Sequence, residues 1–242
     1  MANPTAAALI IGDEILTGRT REGNGYYLAG ELAKAGFDLR EIRVVGDDHA
    51  TIVAAVRALS AAHDQLFTSG GIGPTHDDIT ADAVAEAFGA PIDVREDARA
   101  LLAAFYASRG VELSSARLRM ARIPDGATLI ENPVSVAPGF SIGNCHVLAG
   151  VPNIFQAMVA SVLAGLVGGA PLVTQSLRVM RPEAALAEPF AALAAMWPEL
   201  SLGSYPFVQD GAFGTNLVVR GTDPAGVAAA MDALRTAFPE GQ

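Results

Sequence analysis

The sequence predicts an α/β fold: a doubly wound, mostly parallel sheet followed by a small α+β domain. Three observations carry this. Short apolar runs alternate with helical stretches over the first two-thirds of the chain, the pattern of strands joined by crossover helices. The first run, AAALII, is uninterrupted, as in a strand covered on both faces. After Gly168-Gly169-Ala170-Pro171 the pattern changes to a compact β-α-β-β-α unit. A boundary near residue 171 therefore separates a domain over 1–170 from a second over 171–242.

The elements follow in order. Residues 6–11 form the first strand. Over residues 24–35, Tyr27, Leu28, Leu32 and Ala35 share one helical face, and Gly36 supplies the stop. Residues 39–45 are the second strand. Asp48 suits the N-cap of a helix reaching 62, with Ile52, Val53, Val56 and Leu59 turned inward. Residues 65–69 are the third strand. Helices are predicted over 78–88, 96–108 and 114–120, then strands over 128–130, 139–142 and 145–148. A helix without charge follows, its unbroken part over 154–167. In the second domain a strand over 176–180 precedes a helix opened by Pro182 and running to about 196. Strands over 202–208 and 215–220 lead to a helix opened by Asp223-Pro224, ending near 238. The predicted core there is Leu177, Val179, Leu193, Trp197, Leu217, Val219 and Leu234.

Composition narrows the function. The 242 residues are 51% hydrophobic and 17% charged, with mean hydropathy +0.33, which excludes a disordered or fibrous chain. Lys and Arg number 16 against 26 Asp and Glu, a net charge of −10. Such a chain repels nucleic acid and anionic membrane. The single cysteine, Cys145, excludes an internal disulfide and a cysteine-built metal site. Residues 132–177 carry no Asp, Glu, Lys or Arg, yet Pro152, Gly165 and Gly168 interrupt the apolar part. That part is read as a buried core helix and not a membrane span. The N-terminus shows neither a basic region nor a cleavage pattern, so a cytoplasmic location is expected.

The strongest motif is SGGIGPTHDDIT, residues 69–80, between a strand and a helix, where open α/β sheets bind ligands. Glycines let backbone amides face an anion, and the helix start adds partial positive charge. Asp77 and Asp78 at the same point make sense if a divalent cation stands between them and a phosphate, although either one also suits a helix cap. Gly12-Asp13-Glu14 after the first strand, with Asn24 opening the next helix, and Gly46-Asp47-Asp48 after the second repeat the acid pair at the same sheet edge. Three such loops imply one acidic cleft, tolerable to a phosphate ligand only with a metal present. His76, inside the loop, is a weaker candidate ligand. His49, His63 and His146 lack partner spacing, and Cys145 reads as an inert buried thiol.

GDEIL, GDD, TSGGIGPTHDDIT, NPVSVAPGF and LAGVP, in this order, resemble the molybdopterin-binding-like domain. They are more closely similar to the competence/damage-inducible protein A family and to the N-terminal domain of FAD synthases. The resemblance covers about residues 6–170, and Ser204-Tyr205-Pro206 extends it weakly into the second domain. It implies a fold related to molybdopterin adenylyltransferases. Some members are metal-dependent pyrophosphatases of ADP-ribose or FAD; others are known only as molybdopterin-binding. Carried over by position, Gly12, Asn24, Ser69, Gly70, Gly71, Gly73, Pro74, Thr75, Thr80, Asn132, Pro138, Gly139, Gly150 and Pro152 are expected to hold the ligand. Asp47, Asp77 and Asp78 are the expected catalytic acids, and Asp13, Glu14 and Asp78 the expected ligands of Mg²⁺, Mn²⁺ or Co²⁺. Two departures stand out: Glu22 in place of an aspartate, and uncharged Asn153, Ile154, Phe155 and Gln156 after the GVP run.

The leading expectation is a metal-dependent hydrolase of a nucleotide pyrophosphate. The alternative is a molybdopterin-binding protein, or a transferase of molybdenum cofactor biosynthesis, that binds without hydrolysis. The partner is a nucleotide or pterin phosphate, and the resemblance implies a homo-oligomer. The second domain has a KH-like layout, but it lacks a GxxG clamp and carries four arginines against seven acids, so no RNA binding and no chemistry of its own is expected there.

Overall fold

A computed structural model describes residues 2–241. The chain divides into two compact units between Gly169 and Ala170. In the first, β1 (Thr5–Ile11), β2 (Asp38–Val45), β3 (Gln65–Ser69) and β8 (Cys145–Leu148) run parallel in the order β2-β1-β3-β8. β7 (Gly139–Ile142) and β6 (Thr128–Ile130) extend the sheet antiparallel. Successive residues of β1 feed opposite cores, as the two-residue strand period requires. Ala7, Leu9 and Ile11 pack with α3 (His49–Ala62), α4 (Thr80–Phe88) and α5 (Glu96–Ala107). Ala6 and Ala8 pack with α2 (Asn24–Lys34) and α7 (Pro152–Leu163). The alanines of β1 leave room for Leu28, Leu32, Phe155 and Met158 to approach the sheet.

The strand β2 lies at the sheet edge. Arg40 pairs with Asp38 and Arg43 with Glu41, both at 2.7 Å, so the edge carries charge along its length. Charged edge strands resist pairing with another chain.

Some boundaries differ from expectation. The short α1 (Asp13–Leu16), β4 (Ile92–Val94), α6 (Ser115–Leu118) and β5 (Arg122–Pro124) complete the unit, with β4 and β5 paired antiparallel. α4 begins at Thr80 and not at 78, and its N-cap residue, Ile79, makes no side-chain cap bond. Neither Asp77 nor Asp78 therefore caps it. The charge-free helix stops at Leu163, and Val167, predicted to be buried, is 90% exposed. Gly165 closes a turn onto Val162, and the chain then lays Gly169 against Gly36, with an amide bond of 2.9 Å. α7 spans only about 18 Å. No helix among the described residues is long and apolar enough to cross a membrane.

The second unit is an antiparallel sheet of β9 (Val173–Val179), β10 (Ser201–Gln209) and β11 (Ala212–Gly221) in the order β10-β11-β9. Asp210 and Gly211, both with positive φ, make the two-residue hairpin turn between β10 and β11. Two helices complete the unit, α8 (Ala187–Ala194) and α9 (Pro224–Ala237). The helix predicted from Pro182 does not form as one piece. Pro189 lacks the amide such a helix would offer to the Ala185 carbonyl, and Arg181 Nη2 donates to that carbonyl instead, at 3.1 Å. A 3-10 turn over Glu183–Ala185 takes its place. Leu177, Val179, Leu217, Val219 and Leu234 are buried as predicted; Leu193 and Trp197 are only partly so.

Candidate functional site

Four parallel strands end at one edge of the sheet, and their following loops meet there. The chain leaves β3 through Gly70 and Gly71, with φ of 109° and 69°. A Cβ on Gly70 would run into the Ile11 carbonyl, and one on Gly71 into the Thr80 hydroxyl. Glycine is thus fixed twice over, by conformation and by space. The Gly70 amide bonds Leu148 O at 3.1 Å. The next three amides, of Gly71, Ile72 and Gly73, donate to no other described residue. Consecutive free amides in such a turn form a concavity for an anion.

The acids at this edge first serve the backbone. The Asp13 amide donates to Asp47 Oδ2 at 2.9 Å, and the Asp47 amide returns a bond to Asp13 Oδ1 at 3.3 Å. This exchange ties the β1 loop to the β2 loop. Asp78 Oδ2 accepts from the amide and hydroxyl of Thr75, at 2.8 and 2.5 Å. It caps the turn of its own loop, where the sequence suggested a helix cap. The Asp47 carboxyl lies above its ordinary pKa. Partial burial is the main cause; the Asp13 amide opposes it, and the charges of Asp13, Glu14 and Asp77 add to it.

Asn132 builds the facing loop. Its Nδ2 donates to Ser135 Oγ at 2.6 Å and Ala137 O at 2.8 Å, and its Oδ1 accepts from the amides of Val134 and Ser135 at 3.1 Å. Val136 is held there at φ 67°, an uncommon conformation for a β-branched residue. Asn24 Nδ2 bridges Ser69 Oγ and Gly150 O, each at 2.8 Å, and so joins the ends of β3 and β8.

Together these loops line an open cleft of about 470 Å³. Gly12, Glu14, Asp47, Gly70, Gly71, Gly73, Pro74, Asp77, Asp78, Asn132 and Gly150 are all on its wall. Asn24, Ser69 and Pro152 line a smaller recess of about 80 Å³, together with Arg21, Glu14 and Gly150. Asp13, Thr75, Thr80, Pro138 and Gly139 do not line the cleft. Asp13 and Thr75 hold loops, and Thr80 and Gly139 are buried. Pro138 borders a small void behind the glycine turn. Sequence reasoning missed the apolar wall of Ile72, Met120, Ala149 and Ile154, and also Ser135. Ile72 lies within the glycine-rich motif; Met120, on the 3-10 turn Arg119–Ala121, had no sequence signal.

Among the described residues, no group of three or more His, Cys, Asp or Glu is arranged to hold a metal ion. Of the acids on the cleft wall, Asp47 and Asp78 accept from the backbone amides of Asp13 and Thr75. His76 is exposed and 3.8 Å from Asp77. His146 and Cys145 lie buried in β8, away from the cleft.

A mostly parallel sheet with a glycine turn and an open cleft at its strand ends defines a small-molecule-binding α/β protein. Residues 7–168 match the family described as probable molybdopterin binding domain, and residues 171–242 match the middle domain of FAD synthase. A protein of Pyrobaculum calidifontis is 40% identical over 159 residues, which are 64% of this chain and 61% of that protein. A CinA-like protein of Geobacter sulfurreducens is 39% identical over 66% of this chain and 40% of its own length. The crystal structure of CinA of unknown function from Thermoplasma acidophilum superposes with a TM-score of 0.62 at 34% identity, covering 67% of this chain and 99% of that one. The chain belongs to the molybdopterin-binding domain family and is CinA-like over its first unit.

Proposed function

We propose that the cleft binds the phosphate end of a pterin of the molybdopterin type, as a binding protein or a step of molybdenum cofactor biosynthesis. One observation carries this reading: Gly71, Ile72 and Gly73, whose amides donate to no other described residue, line a cleft large enough for a pterin. The apolar wall of Ile72, Met120 and Ile154 suits a flat heterocycle. The description of the matched family points the same way.

A second reading, metal-dependent hydrolysis of a nucleotide pyrophosphate, is favoured by the crowding of Glu14, Asp47, Asp77 and Asp78 on the same wall. In that reading the cation takes most of its donors from the ligand phosphates and water, as magnesium does. Calorimetric titration with molybdopterin separates the two, alongside turnover assays on ADP-ribose and FAD with and without Mg²⁺, Mn²⁺ or Co²⁺. Saturable pterin binding without turnover is the expected result, and Gly71→Val abolishes it. Metal-dependent turnover with no pterin binding overturns it in favour of the hydrolase.

A further inference from the structure

The cleft poses an electrostatic difficulty for any anion. Its wall carries Glu14, Asp47, Asp77 and Asp78. Behind the glycine turn lies a small void bordered by Gly71, Gly73 and Asp78 and by two arginines, Arg119 and Arg122. Arg122 is matched by its ion pair with Asp82. Arg119 has no carboxylate partner among the described residues. Its Nη2 donates to the Asp78 carbonyl at 3.1 Å, and its Nε is buried with no hydrogen-bond partner. The Thr80 hydroxyl beneath Gly71 is likewise buried and unpartnered. Buried polar groups without partners are rare in native proteins, and a charged one is costly. Here both flank the turn whose amides are free.

We propose that Arg119 is the cationic half of an anion subsite for a phosphate or pyrophosphate group, completing the amides of Gly71, Ile72 and Gly73 from behind the turn. This rests on the reading of the cleft given above. Arg119 is a positioning residue: it holds the acid loop through the Asp78 carbonyl. It also places beside the turn an unmatched positive charge that offsets the acids of the wall in favour of a ligand phosphate. Its Nε is buried, so its charge is less screened there than at a fully exposed position. The 3-10 turn Arg119–Ala121 brings it there, and Met120 beside it lines the cleft.

The test is calorimetric titration of the full chain with inorganic pyrophosphate at low salt, without metal. Arg119→Gln is expected to weaken binding by about 10- to 100-fold, the range for loss of a charge-assisted contact. Arg119→Lys, which keeps the charge, is expected to restore most of the affinity, and a purely structural strut would not be rescued this way. Thermal unfolding of each variant checks that the loop still folds. Native-like binding by Arg119→Gln, with binding lost in Gly71→Val, overturns the role of Arg119 and leaves the cleft reading intact. Lysine as weak as glutamine overturns the charge role. If the native chain binds no pyrophosphate, the cleft reading falls and this subsite with it.

Discussion

Gly70 and Gly71 show how far a single residue type determines the site. Their positive φ and the space taken by the Ile11 carbonyl and the Thr80 hydroxyl leave no side chain a place. This was legible, because three glycines and a proline exceed what a turn needs. The use of the acids was not, since a carboxylate's partner depends on loops distant in sequence: Asp47 meets Asp13 across 34 positions. Asp78→Ala removes the acceptor of two Thr75 bonds and loosens the glycine loop. Ligand affinity is expected to fall about tenfold or more, with only about 1 kcal/mol lost in urea unfolding. His146 makes a separate prediction. Burial pushes its imidazole down to about 4, while Gln65 and Ser141 hold its two nitrogens at 2.8 Å. The unfolded chain, with an ordinary value near 6.5, takes up the proton first. Stability is therefore complete above about pH 6.5 and declines as pH falls to about 4, by roughly 1.4 kcal/mol per unit. Urea midpoints at pH 7.5 and 5 check this, and His146→Gln is expected to flatten that part of the slope.

At the scale of elements, legibility followed the strength of the apolar pattern more than length. α2, α3, β1 and β3 each show enough turns or alternations for a period to be seen. α1, β4 and β5 have three or four residues, and no apolar run marks them as β6, β7 and β8 are marked. Asp210-Gly211 is a hairpin signal that the sequence reading passed over, and the strands beside it extend to meet it, past the expected ends at 208 and 215. α7 was legible as a core helix because charge is missing all round it. Phe155, Met158, Val159 and Val162 anchor it against β1 and α2. Phe155→Ala is expected to cost about 3–5 kcal/mol in urea unfolding, the range for emptying an aromatic core position. A cost below 1 kcal/mol would mean that α7 is not packed as described.

At the scale of the molecule, each unit has its own core, and the cleft is built wholly from residues of the first. A chain ended after residue 170 is therefore expected to fold cooperatively and to bind pyrophosphate with the affinity of the full chain. Circular dichroism and the same titration read both properties. Folding with lost binding would show that residues beyond 170 contribute to the site. The change of element pattern after Gly168-Gly169-Ala170-Pro171 placed the expected boundary near residue 171; the chain divides between Gly169 and Ala170. The fold class was legible too, because a doubly wound sheet needs only the order of its elements to be recognised.

The one cysteine of the chain has a consequence for experiment. Cys145 sits in β8 between β3 and β7 with no accessible surface, and burial pushes its thiol well above its ordinary pKa. The thiolate is the reacting form, so an alkylating reagent finds nothing to attack until the sheet itself opens. Labelling with excess reagent then runs at the pace of that opening, and the natural sequence carries its own clock for how often the sheet comes apart.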